Sequence, residues 1–115
     1  MEVNMESEEL YACLLDSLRD PLLFADTDHL IRYLNRAATE HYTGGSDLLG
    51  RSLLDCHNPE SQRQMIAILK KMHTGLDEEL ITDQPDKRIY MRAVRDSAGR
   101  LLGYYERYEY PFDRD

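Results

Sequence analysis

The sequence predicts an α+β fold: a five-stranded antiparallel sheet with helices on one face, preceded by an N-terminal amphipathic helix. Two observations predict it. Apolar periodicity changes along the chain in the order helix, two strands, short helical turns, one longer helix, three strands. At 115 residues and 42% apolar composition, the chain has room for one core and not for two. One sheet with its helices on one side buries every apolar stripe at once.

Ser7 is placed to cap a first helix reaching about Leu18. Leu10, Tyr11, Leu14, Leu15 and Leu18 form one stripe on it, and Glu6, Glu8 and Glu9 sit near the positive end of its dipole. The stripe can be buried on the chain's own core or against a second copy. Leu10, Tyr11, Leu14 and Leu18 are therefore candidate dimer-interface residues. The layout is this helix over 1–19, one domain over 20–111 and a short tail over 112–115.

Asp20-Pro21 stops the helix, and Pro21–Ala25 reads as a buried strand. Asp26-Thr27-Asp28-His29 is a turn signal, and Leu30–Leu34 is the returning strand. Asn35 can cap a short helix over Arg36–Tyr42 that ends at Gly44-Gly45, and Ser46–Leu54 has room for one or two helical turns around Gly50. Asn58-Pro59-Glu60 is a strong helix start: a capping side chain, proline at the first position, then an acid. That helix should run to His73 with Met65, Ile66, Ile68, Leu69 and Met72 as its apolar face, closed by Gly75. Strands follow at Glu78–Asp83, Arg88–Arg95 and Leu101–Tyr110, with turns at Gln84-Pro85-Asp86 and Asp96-Ser97-Ala98-Gly99.

Charge and composition exclude several functions. Lys and Arg number 14 against 22 Asp and Glu, a net charge of −8, which repels phosphate backbones and anionic membrane surfaces. Nucleic acid and membrane are accordingly not expected partners. No apolar run approaches the roughly 18 residues of a membrane span. Met1–Glu9 carries Glu2, Glu6, Glu8 and Glu9 and no Lys or Arg, the reverse of a leader. The cysteines Cys13 and Cys56 make neither a disulfide framework nor a zinc site, so reduced thiols in a cytoplasmic protein are expected, with no metal.

Three stretches carry a family resemblance. Leu18-Arg19-Asp20-Pro21-Leu22-Leu23-Phe24-Ala25-Asp26 leads into the first hairpin. Ile31-Arg32-Tyr33-Leu34-Asn35-Arg36-Ala37-Ala38 runs a strand into a helix, followed by Leu48-Leu49-Gly50-Arg51. Val94-Arg95-Asp96-Ser97-Ala98-Gly99-Arg100-Leu101-Leu102-Gly103 forms the last hairpin. In order and spacing they resemble a PAS domain over roughly Leu14 to Tyr110. Asp55-Cys56-His57-Asn58-Pro59-Glu60-Ser61 further resembles a PAS subgroup with a D-C-H-x-P-x-S segment before its long helix. His29 stands where the family usually has Gly, and His tolerates positive φ better than most residues. The resemblance implies a sensor or interaction module that holds a small ligand, a cofactor or nothing between sheet and helices. It also implies signalling through terminal helices and dimerisation.

The residues narrow the chemistry. A haem sensor of this family needs a histidine on the inner face of the long helix, where only His73, at its last turn, is available. A photoactive flavin domain needs a cysteine where Leu53 stands. Haem and photoactive flavin are therefore not expected, and the cofactor is left unassigned. Cys56-His57 could form a thiolate stabilised by an imidazolium and the following helix, a redox or metal-responsive site. The plainer reading makes Cys56 a small buried hydrophobe and His57 a loop residue bonded to backbone. No nucleophile elbow, phosphate loop or metal motif is present, so no enzyme is expected.

The sheet offers further candidates. Tyr90, Arg92 and Val94 share one strand face, and Tyr104, Glu106, Tyr108 and Tyr110 share another. Pointing inward, Arg92 and Glu106 would pair as a polar floor for a small polar or carboxylate ligand; pointing outward, they are solvated. Met65, Leu69 and Met72 read as core and, where a pocket exists, as its wall. The candidate ligand-binding set is Tyr33, Cys56, His57, Met65, Leu69, Met72, Tyr90, Arg92, Tyr104 and Glu106. The functional expectation is a sensory module that binds a small molecule or partner protein and signals through its terminal helix as a homodimer, with its output in a partner or a further domain. A ligand-free dimerisation scaffold and a Cys56 redox switch are the alternatives.

Overall fold

A computed structural model describes residues 6–111. The tail expected at 112–115, and the first five residues of the acidic N-terminus, lie outside the described residues. The helices are α1 (Ser7–Asp16), α2 (Arg36–His41) and α3 (Pro59–His73). The strands are β1 (Leu23–Asp26), β2 (Ile31–Leu34), β3 (Glu78–Gln84), β4 (Lys87–Arg95) and β5 (Leu101–Glu109). Short 3-10 turns at Gly45–Leu48 and Leu53–Cys56 link α2 to α3. All strand pairs are antiparallel, in the order β2-β1-β5-β4-β3, which is the expected five-stranded sheet preceded by a helix.

The capping chemistry read from the sequence holds for two helices. Asn35 Oδ1 accepts from the Ala38 amide at 2.9 Å to start α2, and Asn58 Oδ1 accepts from the Ser61 amide at 2.8 Å to start α3. Arg95 closes α3 from across the fold, its Nη2 donating to the carbonyls of Met72 at 2.7 Å and Leu76 at 2.9 Å. α1 departs from expectation. Its first residue follows Glu6 with no side-chain cap, so Ser7 caps nothing, and the helix stops at Asp16 rather than Leu18.

The core lies between the sheet and α3. Met65, Ile68, Leu69 and Met72 of α3 are buried with Leu23, Ala25, Ile31, Met91 and Tyr104 of the sheet. Ile66, expected on that face, is exposed, because it falls off the i, i+3, i+4, i+7 stripe formed by the other four. Gly103 lets β5 approach β1: a side chain there would collide with the Ala25 carbonyl oxygen and the Phe24 ring.

The stripe on α1 is not buried on the chain's own core. Leu10, Tyr11, Leu14 and Leu18 are all exposed, and no residue of α1 is fully buried. Polar contacts hold the helix instead. The Tyr33 hydroxyl donates to the Ala12 carbonyl and to Asp16, and Asp16 Oδ1 accepts from the Arg36 amide at 2.9 Å.

Candidate functional site

The β4–β5 register decides which groups face the helices. Arg95 pairs with Leu101, but Val94 pairs with Gly103, so the register slips by one residue at a bulge. Beyond the bulge, Met91 sits opposite Glu106 and Arg92 opposite Tyr105. Met91 is fully buried, so Glu106 shares the inner face while Arg92 is exposed on the outer one. The Arg92–Glu106 pair expected as a polar floor therefore does not form. A hairpin without the slip would set Arg92 opposite Tyr104, on the inner face; one extra residue reverses that. Tyr90 also faces outward, its ring carrying the Arg107 guanidinium 4.2 Å from its centroid.

A cavity of about 340 Å³ opens between β1, β5 and the segment linking α2 to α3. Leu23, Leu48 and Leu53 supply apolar walls, and Tyr42, His57 and Glu106 supply polar groups. Cys56 and Thr43 complete the lining. Among the described residues, no lysine or arginine lines it.

The polar groups form a chain. The Tyr42 hydroxyl lies 3.4 Å from Glu106 Oε2 and shares a hydrogen bond of 2.6 Å with the Tyr108 hydroxyl. Burial pushes the Glu106 carboxyl above its ordinary range, against the pull of His57, of the Tyr42 and Tyr108 hydroxyls, and of His41. Burial and the neighbouring Glu106 charge push the Tyr42 hydroxyl far up, and burial pushes Tyr108 up to about 12. Both phenols therefore stay protonated. His57 Nδ1 lies 2.9 Å from the Leu53 carbonyl, which can only accept, so Nδ1 carries a proton. His57 is thus bonded to backbone as the plainer reading expected. Cys56 is not the buried hydrophobe expected; its thiol is exposed at the cavity wall.

Of the ten candidate ligand residues, Cys56, His57 and Glu106 line this cavity. Leu69, Met72 and Tyr104 are core, and Tyr104 is committed to His29, whose Nδ1 lies 2.7 Å from its hydroxyl. Met65 borders a smaller recess of about 160 Å³ on the other side of His57 and Glu106. Tyr33 faces α1, and Tyr90 and Arg92 face outward. Sequence reasoning missed Leu23, Tyr42, Thr43, Leu48 and Leu53. The signal for Tyr42 was present in its position at the end of α2, where the chain turns back over β5.

The donor set does not fit a haem held from the long helix, since α3 turns methionine, isoleucine and leucine inward and His73 is exposed. Among the described residues, no group of three or more His, Cys, Asp or Glu could hold a metal ion, and no helix is long and apolar enough to cross a membrane.

Comparison with known proteins places this geometry. No curated protein matches the chain. A C-terminal domain from Streptococcus mutans superposes with a TM-score of 0.74 at 22% identity, covering 96% of this chain and 90% of that one. The PAS domain of Bordetella pertussis BvgS gives 0.68 at 17% identity, covering 93% and 88%. A Vibrio cholerae VqmA dimer, described in the absence of its target DNA, gives 0.63 at 20% identity; the match covers 95% of this chain but 54% of that one. At these identities the likeness is one of fold. The family model described as "PAS domain" matches residues 12–109, nearly the whole chain, and with the strand order and the roofed inner face already described, the chain belongs to the PAS-domain family, whose members are generally sensory and signalling modules rather than catalysts.

Proposed function

We propose that this PAS domain is a sensory module that holds a small molecule in the cavity between β1, β5 and the 3-10 turns. The sensing unit spans 20–111, and the segment 1–19 carries its output. The observation that supports this is the cavity itself. Apolar walls and a few convergent polar groups in a space of about 340 Å³ are the usual make-up of a small-molecule site. A ligand that favours one arrangement of turns and sheet shifts the population of states and so biases α1 and whatever it contacts. The output resides in a partner protein or a further domain.

Native mass spectrometry of the freshly purified protein tests this reading. The wild type should carry a bound small mass, and Leu48→Trp, which fills the cavity, should lose it. Bare chain in both would favour the second reading, a ligand-free dimerisation scaffold.

A specific observation supports that second reading. The exposed side chains of Leu10, Tyr11, Leu14 and Leu18 leave an apolar stripe on α1 without a partner in the monomer. The structurally similar VqmA is described as a dimer. Leu14→Glu should turn a concentration-dependent dimer into a monomer in sedimentation. An unchanged oligomeric state would remove α1 from the interface.

A further inference from the structure

We propose that the cavity beside Glu106 selects a small apolar molecule bearing one basic nitrogen, and rejects carboxylates. This rests on the reading of the cavity as a ligand site and names the class of ligand.

The inference follows from the polar inventory. Glu106 is the cavity's one carboxyl group, and no lysine or arginine among the described residues lines the space with it. Its neighbours there are two phenols, Tyr42 at a long 3.4 Å and Tyr108, which are themselves joined by a tight bond of 2.6 Å. Both phenols are neutral donors, and a carboxylate has acceptor sites for several. The cavity therefore offers a ligand one carboxyl group with no lysine or arginine beside it among the described residues.

A carboxylate ligand would face Glu106 with no lysine or arginine in the lining between them, in a chain of net charge −8. A protonated amine or amidine would instead give Glu106 a charge-assisted hydrogen bond, stronger than the neutral phenol bonds it has. Burial favours the same choice: it raises the proton affinity of Glu106, so the carboxyl and a basic nitrogen can share one proton whichever held it first. Leu23, Leu48 and Leu53 would cover the apolar part of the molecule, and a cavity of about 340 Å³ suits a single ring with a short arm. The bulge that turned Arg92 outward is what sets this preference. With Arg92 inside, the floor would have been neutral and able to hold an anion.

Benzylamine, benzyl alcohol and benzoate, three isosteric probes that differ in charge, test the inference by NMR titration of the full chain. Benzylamine should bind at least about tenfold tighter than benzyl alcohol, the usual margin of a charge-assisted bond over a neutral one. Benzoate should bind most weakly. Glu106→Gln should erase the benzylamine advantage and leave benzyl alcohol unchanged, while Arg92→Ala, on the outer face, should alter none of the three. Equal binding of all three would overturn the charge preference and leave the cavity reading standing. Binding of none, with no cavity-lining amide shifting, would overturn both. The ordering of the three probes on the wild type is decisive even where Glu106→Gln does not fold.

Discussion

Glu106 and His29 are two titratable side chains that the fold pulls away from water, and their contributions to stability run in opposite directions with pH. Burial raises the Glu106 carboxyl, so the unfolded chain releases its proton first. Stability from this group is full below the ordinary carboxylate value and is lost as pH rises through the raised native value. Burial lowers His29 from an ordinary value of 6.5, against the pull of Asp26 and Asp28. Its contribution is present in full above that value and is lost as pH falls from there through the depressed native value. Glu106→Gln should therefore stabilise the protein more at about pH 8 than at about pH 5 in urea unfolding. A pH-independent difference would mean that Glu106 titrates as a solvated carboxyl. His29→Asn, which also tolerates the left-handed φ of 63° found there, should flatten the decline in stability on the acid side. The sequence revealed the turn and the tolerance for positive φ. It did not reveal that His29 is buried against Tyr104, because that contact spans 75 residues and depends on how β5 is placed beside β1.

Elements were more legible than their relations. Proline and glycine punctuation and the Asn35 and Asn58 caps placed strands and helices within a few residues, since these signals are local. The face of β4 was not legible, because the slip between Val94 and Arg95 reverses every side chain beyond it. Asn35 shows how much a local reading left out. Its role as cap of α2 was plain, yet the same fully buried side chain also accepts from the Leu22 amide at 2.9 Å. It donates to the Leu15 carbonyl at 2.9 Å and the Asp20 carbonyl at 3.1 Å. One residue thus ties the end of α1, the approach to β1 and the start of α2. Asn35→Ala should cost about 3 kcal/mol in denaturant unfolding, because it leaves several buried groups without partners. Amide exchange in α1 should also speed up more than in α3. A cost below about 1 kcal/mol would show that water replaces the lost bonds.

At the scale of the whole molecule, a closed core and an open cavity share one sheet. The core side is built on the buried face of α3 with Met91 and Tyr104. The cavity side is roofed by short 3-10 turns, which make few regular hydrogen bonds and rearrange more readily than a long helix. On the proposed reading a ligand acts on the roof, and Asn35, bonded to the Leu15 carbonyl and the Leu22 amide, links α1 to the approach to β1. The fold class was legible because a pattern of alternating elements has few packed solutions. The cavity was not, because its lining comes from β1, α2, both 3-10 turns and β5, which only the completed fold brings together. The most direct test of this account is an amide-resolved NMR titration of the protein with small amine-bearing fragments. Shifts should be concentrated at Leu23, Tyr42, Leu53, Cys56, His57 and Glu106, followed by smaller ones along Asp16 and Asn35. Shifts confined to outer-face Tyr90, Arg92 and Arg107, or none at all, would contradict it.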